Sequence, residues 1–295
     1  MGICNKSAGI IATFLFGMLA LSDGDALLAK LSVMEGAERS AMLDELASRV
    51  ILPYTGMAII LALIGVMVKI SRLPDIDPDI QNAGSDVNSY SGKTSIFQFP
   101  FLLLGVVAIF CDVGLEIIAG DTIISYGISQ GIPVALARHF TSFTMIASII
   151  GYIAGIIAIP RYISQGTALK ICSVLGIILA ICAVSSSKMI SVLFIASMGM
   201  ANALIWPAVW PLAIEGLGRF TGIGSSLLIM GNLGGALLPL LYGRLADIIH
   251  PTVAYVIVIP CYLFLLYYAV SGHRVCKVVT NETSQGFCIS IISPF

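Results

Sequence analysis

The chain has 295 residues, of which 58% are hydrophobic and only 11% are charged. Its mean hydropathy of +1.01 lies far outside the range of soluble globular domains and indicates an integral membrane protein. The formal net charge of -1 gives no basic footprint for DNA or RNA, so no nucleic-acid partner is predicted.

Apolar runs of membrane-spanning length recur along the whole chain. Because a bilayer core needs about 20 apolar residues per helix, these runs predict an all-α membrane protein with eight spans. The predicted spans are residues 7–22, 50–69, 97–120 or beyond, 140–160, 171–187, 189–214, 221–242 and 251–271.

Two polar segments interrupt the spans in the first third of the chain. Residues 23–49 place apolar residues at helical spacing among six acidic and three basic residues, without proline, and predict an amphipathic surface helix. Residues 72–94 contain three acids at alternate positions, two prolines and a run rich in Asn, Gly and Ser, which is typical of a linker. This linker leaves two spans before it and six after it.

The basic residues predict an orientation in the membrane. With both termini and the linker on one face, nine Lys and Arg residues lie there against six on the other, and three of those six belong to the acidic amphipathic segment. The positive-inside rule therefore predicts a multi-pass protein with both termini and the linker in the cytoplasm. The expected units are residues 1–70 with two spans and a periplasmic amphipathic helix, a cytoplasmic linker at 71–96, a six-helix bundle at 97–272 and a cytoplasmic tail at 273–295.

The stretch "CDVGLEIIAGD", residues 111–121, carries acids within the third predicted span. Asp112 and Glu116 are four residues apart, so both project from one helical face, and each costs about 2.5–3.5 kcal/mol at the centre of a span. Because two carboxylates this close disfavour double ionisation, they are candidates for binding a proton. The alternative is a helix end in headgroup water, whereas a helix that continues to Tyr126 places Asp112 near mid-membrane. Asp121 lies about 180° around the helix from Asp112 and is expected at a helix end.

A second polar group lies in the span at 189–214. Asn202 and Trp206 are again four residues apart, while Pro207 and Pro211 remove backbone hydrogen bonds and bend or break the helix. An aromatic face that stacks on a sugar ring, beside an amide that reaches its hydroxyls, is a common sugar-binding arrangement. The alternative is that the tryptophan anchors the helix in the bilayer.

Glycines at helical spacing indicate where helices pack closely. Gly151 with Gly155, and Gly231 with Gly235, each allow two helices to approach. Asn232, which lies within the second pair, is either a hydrogen-bonding contact between helices or a site residue.

Signatures of other functions are absent from the sequence. Seven cysteines lie mostly within apolar runs and without CxxC spacing, so neither a disulfide framework nor a zinc site is predicted. There is no HExxH, GxSxG or Walker A motif, so the chain is not expected to be an enzyme and no metal or cofactor is predicted.

Three stretches carry a resemblance to a known family. "CDVGLEIIAGDTIISYGI", "ALIWPAVWPLAIEGLGRFTGIGSSLLIMGNLGGALLPLLYGRLAD" and "SRLPDID" resemble the sugar:proton symporters of the major facilitator superfamily. Within that superfamily, the resemblance is to the branch that contains the L-fucose permease and the bacterial glucose/galactose transporters. Its most specific part is an ordered set of three motifs, which here fall at Val113–Glu116, Pro207–Gly218 and Gly224–Pro239.

The resemblance implies a fold of twelve helices in two bundles, with a sugar bound between the bundles near mid-membrane and exchanged by alternating access. The eight predicted spans then look like helices five to twelve, and residues 1–70 look like a remnant of the N-terminal bundle. Glu116 and Asp112 would lie on helix seven facing the cavity, Trp206 would lie beside the substrate, and Asn5 matches an asparagine that opens helix five. The candidate sugar-binding residues are Glu116, Trp206, Asn202, Asn232 and Asn5, and the candidates for proton coupling are Asp112 and Glu116.

The function that the resemblance implies is secondary active transport of a monosaccharide by proton symport, with the sugar, the proton and the lipid bilayer as partners. Glu116 favours a hexose such as glucose or galactose over fucose. The acids that the family uses for proton coupling belong to helices one and four, which have no counterpart here, while Asp112 and Asp121 replace residues that are usually uncharged. Two alternatives stay open: a transport-inactive truncated fragment or assembly partner, and an intramembrane enzyme that uses Asp112 and Glu116 as acid and base.

Overall fold

The computed structural model describes residues 2–20, 37–71, 96–159 and 161–272, and all regular structure within these ranges is helical. The predicted linker at 71–96 and the predicted tail at 273–295 lie almost entirely outside the described residues. Seven helical segments in the described part are long and apolar enough to cross a membrane. They correspond to seven of the eight spans that the apolar runs predict.

The first helix, α1, extends over Gly2–Ala20 and coincides with the remaining predicted span. It packs against α6, the helix Phe140–Ala158. Gly2 lies directly against the ring of Tyr152, so the absence of a side chain on Gly2 allows the two helices to approach. This contact joins a helix from before the linker to one from after it.

The second helix, α2, is a single helix of 34 residues over Ala37–Ile70. The prediction of an amphipathic helix that ends at residue 49, before a separate span at 50–69, is therefore wrong at this boundary. Pro53 lies inside α2, and because an interior proline removes only one backbone hydrogen bond, the helix continues through it. None of the side chains over Pro53–Ile70 is buried within the protein, so the apolar surface of this span is exposed in the structure.

The six remaining spans follow the linker, and several consist of two helices joined by a short irregular turn. These breaks occur inside apolar runs, where one turn of 3-10 helix or a single residue interrupts the α-helical hydrogen bonds. In chain order the helices are α3 Pro100–Asp121, α4 Ile123–Ser129, α5 Val134–Ala137, α6 Phe140–Ala158, α7 Gln165–Ser185, α8 Lys188–Asn202, α9 Ile205–Ile214, α10 Thr221–Met230, α11 Gly234–Ile248, α12 Pro251–Ala254 and α13 Val258–Val270.

Helix α3 is the centre of the six-span unit. It packs against α6, α8, α9, α10, α11 and α13, and twelve of its residues are buried. Because α3 touches most of the other spans, a polar side chain on its inner face is enclosed by protein.

Close approach of helices depends on the glycines that the sequence singles out. A Cβ on Gly231 would lie 2.8 Å from the carbonyl oxygen of Val106 in α3, and one on Gly151 would lie 2.7 Å from the carbonyl oxygen of Met200 in α8. Only glycine fits such approaches between backbones, so the predicted packing role of these glycines is confirmed.

Side-chain hydrogen bonds fasten three helix ends of the six-span unit together. Gln130, just after α4, donates from Nε2 to Thr252 Oγ1 in α12 at 2.8 Å and accepts from the backbone N–H of Lys188 at 3.1 Å. One α4 residue adds to this group, because the Tyr126 hydroxyl lies 2.5 Å from Ser191 Oγ in α8. These contacts hold the end of the α3–α4 span against two other spans.

Candidate functional site

The length of the α3–α4 span bears on the depth of Asp112. Thr122, between the two helices, keeps right-handed helical backbone angles, so the span runs from Pro100 to Ser129. At 1.5 Å per residue, Asp112 lies about 18 Å from the first end and about 26 Å from the second. The helix does continue through Tyr126, and this depth favours the mid-membrane alternative over headgroup water.

Asp112 is fully enclosed by protein. Its side chain is 0% exposed, and neither carboxylate oxygen has a hydrogen-bond partner among the described residues. A buried polar atom without a partner is costly, and a carboxylate is the costliest case. Asp112 therefore carries an unsatisfied capacity to bind a proton or another polar group.

Glu116, one turn further along α3, has a different environment. Its side chain is about one-third exposed and forms an ion pair with Lys6 of α1, in which Lys6 Nζ donates to Glu116 Oε1. The neighbouring helices cover α3 around Asp112 but leave Glu116 partly exposed. That both acids face the substrate cavity stays a prediction.

Lys6 is a site residue that sequence reasoning missed. Its side chain is only 5% exposed, although the sequence prediction counts Lys6 among the charges of the cytoplasmic face. It lies inside α1, 110 residues along the chain from its partner. Without Lys6, eight of the nine basic residues assigned to the cytoplasmic face remain. A lone lysine close to the start of an apolar helix is the one signal that could have drawn attention to it.

Asn202 and Trp206 lie on either side of a helix break and differ in exposure. Pro207 has no N–H to donate to the carbonyl of Ala203, and α8 ends at Asn202 while α9 begins at Ile205. Asn202 is buried, whereas Trp206 is 40% exposed. The predicted break is confirmed, and the common face of the two residues stays a prediction.

Asn202 takes part in a contact between helices. Its Oδ1 accepts a hydrogen bond of 2.6 Å from the hydroxyl of Tyr262 in α13, and its Nδ2 has no partner among the described residues. The residue thus joins α8 to α13 and retains unused donors in the protein interior.

Trp206 offers an aromatic surface. Its ring stacks on that of Trp210, with ring centroids 5.0 Å apart and an angle of 28° between the planes. The stack holds the ring in a fixed orientation, and its exposed part is available to a ligand or to lipid.

The other two candidate asparagines lie on the surface. Asn5 in α1 and Asn232, in a 3-10 turn between α10 and α11, are both exposed. Exposure favours the site-residue alternative for Asn232 over a hydrogen-bonding contact between helices.

The site is therefore built around one contact between distant parts of the chain. Lys6 and Glu116 meet, Asp112 lies enclosed one turn away, and Asn202 is tied to Tyr262. Within the described part of the chain, no hydrogen bond joins Trp206, Asn5 or Asn232 to this group. Within the described residues, no cluster of three or more His, Cys, Asp or Glu side chains could hold a metal ion.

The chain is similar to proteins that are named as sugar transporters. A glucose/galactose transporter of Brucella abortus biovar 1 (strain 9-941) is 29% identical over 241 residues, which are 81% of this chain and 57% of that protein. The L-fucose-proton symporter of Escherichia coli (strain K12) is 23% identical over 74% of this chain and 50% of its own length. No protein-family model matches the chain. The chain thus spans about half the length of the curated relatives it matches.

A solved structure has the same fold. The crystal structure of the major facilitator superfamily transporter FucP in the outward conformation matches with a TM-score of 0.65 and 20% identity, over 90% of this chain and 65% of that one. These findings confirm the resemblance and the fold that the sequence motifs imply. The chain is a multi-pass membrane protein with the major facilitator fold.

Proposed function

We propose that this chain, which has the major facilitator fold and sugar transporters as relatives, takes part in secondary active transport of a monosaccharide by proton symport with alternating access. The observation that carries the proposal is the group of charged side chains around α3. Lys6 from before the linker meets Glu116 from after it, next to an enclosed Asp112 at mid-membrane. Charged groups at this depth mark substrate and ion pathways in membrane proteins.

In this proposal the sugar binds to Glu116 and Trp206. A carboxylate accepts hydrogen bonds from sugar hydroxyls, and the exposed face of an aromatic ring covers the apolar side of the sugar ring. Asn5 and Asn232 supply exposed amides for further hydrogen bonds to the sugar. Asn202 does not contact the sugar in this proposal but stabilises the packing of α8 on α13 through its hydrogen bond with Tyr262. Glu116 favours a hexose such as glucose or galactose over fucose, as its place in the family motif implies.

The contact between α1 and α3 suits alternating access. In the proposed cycle, residues 1–70 move with one half of the transporter and the bundle at 97–272 moves with the other. An ion pair that bridges the halves and is stronger in one state than in the other contributes to the balance between the states. Asp112 is the proposed proton site.

The proposed location is the cell inner membrane with both termini in the cytoplasm. Eight basic residues remain on that face after Lys6 is removed from the count, against six on the other, so the positive-inside rule still supports this orientation.

A second candidate is a transport-inactive fragment or assembly partner. It is favoured by one observation, that the chain spans 57% of the Brucella relative. The two candidates are distinguished by radiolabelled glucose and galactose uptake into proteoliposomes, with and without an inward proton gradient, for this chain and for a version extended upstream.

The expected result is gradient-dependent uptake that Glu116→Gln lowers at least tenfold. Asp247→Asn, which changes an exposed carboxylate at the end of α11, serves as the control and should leave uptake unchanged. Equal background uptake in the wild-type and Glu116→Gln proteins, in both the short and the extended chain, would rule out the transport function and leave the inactive fragment.

A further inference from the structure

Three charged side chains inside the membrane do not balance. Lys6 provides one positive charge, whereas Glu116 and Asp112 provide two carboxyl groups. Asp121, whose charge also acts on Lys6, is exposed at the end of α3 and is compensated by solvent or headgroups rather than within the cluster. Lys6 donates to Glu116, while both oxygens of Asp112 have no hydrogen-bond partner among the described residues. With both acids ionised, the group would carry one uncompensated negative charge at mid-membrane, which costs several kcal/mol.

Among the described residues, no cation other than Lys6 acts on Asp112. The remaining titratable groups around this carboxyl are neutral or acidic. They are Cys111 and Glu116 on α3, Tyr152 on α6, Cys172 on α7 and Tyr262 on α13.

We propose that Lys6 is a tethered counter-ion for Glu116, and that Asp112 is the one carboxyl group of this cluster that takes up and releases a proton. The assignment of Asp112 to coupling rests on the proposed transport function, whereas the charge states of the three groups do not. With one proton on Asp112 the cluster is neutral, and the transported charge is one proton per cycle. Glu116 is excluded as a second proton site because Lys6 already compensates its charge.

An unused donor supports a polar space beside Asp112. Asn202 is 4% exposed, and its Nδ2 has no partner in the described part of the chain. Its other amide atom is held by the Tyr262 hydroxyl at 2.6 Å, and the charge of Asp112 acts on that same hydroxyl. A proton on Asp112 therefore enters a region where polar groups of three helices come together and where those of Asp112 and Asn202 are unsatisfied, which is the composition of a site for a small polar species.

Charge balance predicts a distinct number of protonated carboxyl groups for each variant. The wild-type cluster holds one, on Asp112. Lys6→Met raises the number to two, because Glu116 loses its counter-ion. Glu116→Gln lowers it to none, because Lys6 then compensates Asp112, and Asp112→Asn also lowers it to none. The double variant Lys6→Met/Glu116→Gln returns it to one.

Infrared spectroscopy of the purified full chain in lipid nanodiscs at neutral pH counts these groups. A protonated carboxyl group has a C=O band well separated from that of a carboxylate, and exposed Asp and Glu side chains are ionised at this pH and do not contribute to it. Circular dichroism checks that each variant is folded, and Asp247→Asn is the control that should leave the band unchanged. If one of the single variants does not fold, the double variant Lys6→Met/Glu116→Gln still tests the proposal. Its acid C=O band must have the same intensity as that of the wild type.

The expected number of protonated carboxyl groups is therefore one in the wild type and two in Lys6→Met. It is none in Glu116→Gln and in Asp112→Asn, and one in the double variant. An acid band missing from the wild type, or present equally in Asp112→Asn, would overturn the proposal. A band that does not grow in Lys6→Met would overturn the role of Lys6. The measurement needs no sugar, so an acid band with no sugar uptake would reject the transport function alone.

Discussion

The ion pair between Lys6 and Glu116 should contribute measurably to stability, because one partner is buried and the other is half-buried. The two side chains are 6% and 36% exposed. Exposed ion pairs contribute about 0–1 kcal/mol, whereas loss of one partner of a buried pair costs about 3–5 kcal/mol. For this intermediate case we expect Lys6→Met to lower the free energy of unfolding by about 1–3 kcal/mol.

A double-mutant cycle isolates the coupling between the two groups. The free energy of unfolding is measured in mixed micelles for the wild type, Lys6→Met, Glu116→Gln and the double variant. The double variant should lie within about 1 kcal/mol of the wild type, since replacing both partners leaves no unpaired charge. Lys69→Met, in the exposed last turn of α2, is the matched control and should change stability by less than about 0.5 kcal/mol.

The reasoning fails if the two single variants have additive effects. A coupling energy below about 0.5 kcal/mol would show that the pair does not hold α1 to α3. A double variant that is less stable than either single variant would show that the two side chains act independently through packing.

Three further predictions concern the walls of the site and its packing. Trp206→Ala should raise the KM for sugar about tenfold, since loss of an aromatic stack costs about 0.5–1.5 kcal/mol, whereas Trp206→Phe should raise it less; equal KM values would contradict a role in binding. Gly234→Ala should destabilise the protein by about 1–3 kcal/mol, because the new Cβ would collide with the backbone of Phe110. The control is Gly243→Ala in the same helix, whose Cβ meets no atom within 4 Å and which should be neutral or stabilising. Tyr262→Phe should lower the free energy of unfolding by about 0.6–1.7 kcal/mol, as expected for a hydrogen bond between membrane helices. The control is Tyr267→Phe, which changes an exposed tyrosine of the same helix. An equal cost for both variants would show that the hydrogen bond to Asn202 contributes nothing.

Local features of this fold could be predicted from the sequence because their causes lie within a few residues. Apolar runs of the right length locate the spans, and Pro207 locates the break between α8 and α9. Glycines four apart locate close helix contacts. The boundary inside α2 was predicted wrongly, since a change in composition at residue 49 does not end a helix whose backbone hydrogen bonds continue.

The central contact of the site could not be predicted in the same way. The spacing of Asp112 and Glu116 predicts a shared helical face, but it does not say which neighbouring helix covers each level of that face. Lys6 is 110 residues away from Glu116, and only the packing of α1 on α6 brings it close. For Asn202 and Trp206 the four-residue spacing did not predict that one is buried and the other 40% exposed, because burial depends on which helices pack against each residue.

Proton-driven sugar accumulation tests the central claim most directly. Proteoliposomes that contain this chain, or its upstream-extended version, are loaded with a proton gradient and followed for accumulation of labelled glucose or galactose above the external concentration. The account predicts accumulation with the wild type, and equilibration without accumulation for Asp112→Asn. Accumulation that persists in Asp112→Asn, or an absence of gradient-driven uptake in every version of the wild-type chain, would contradict it.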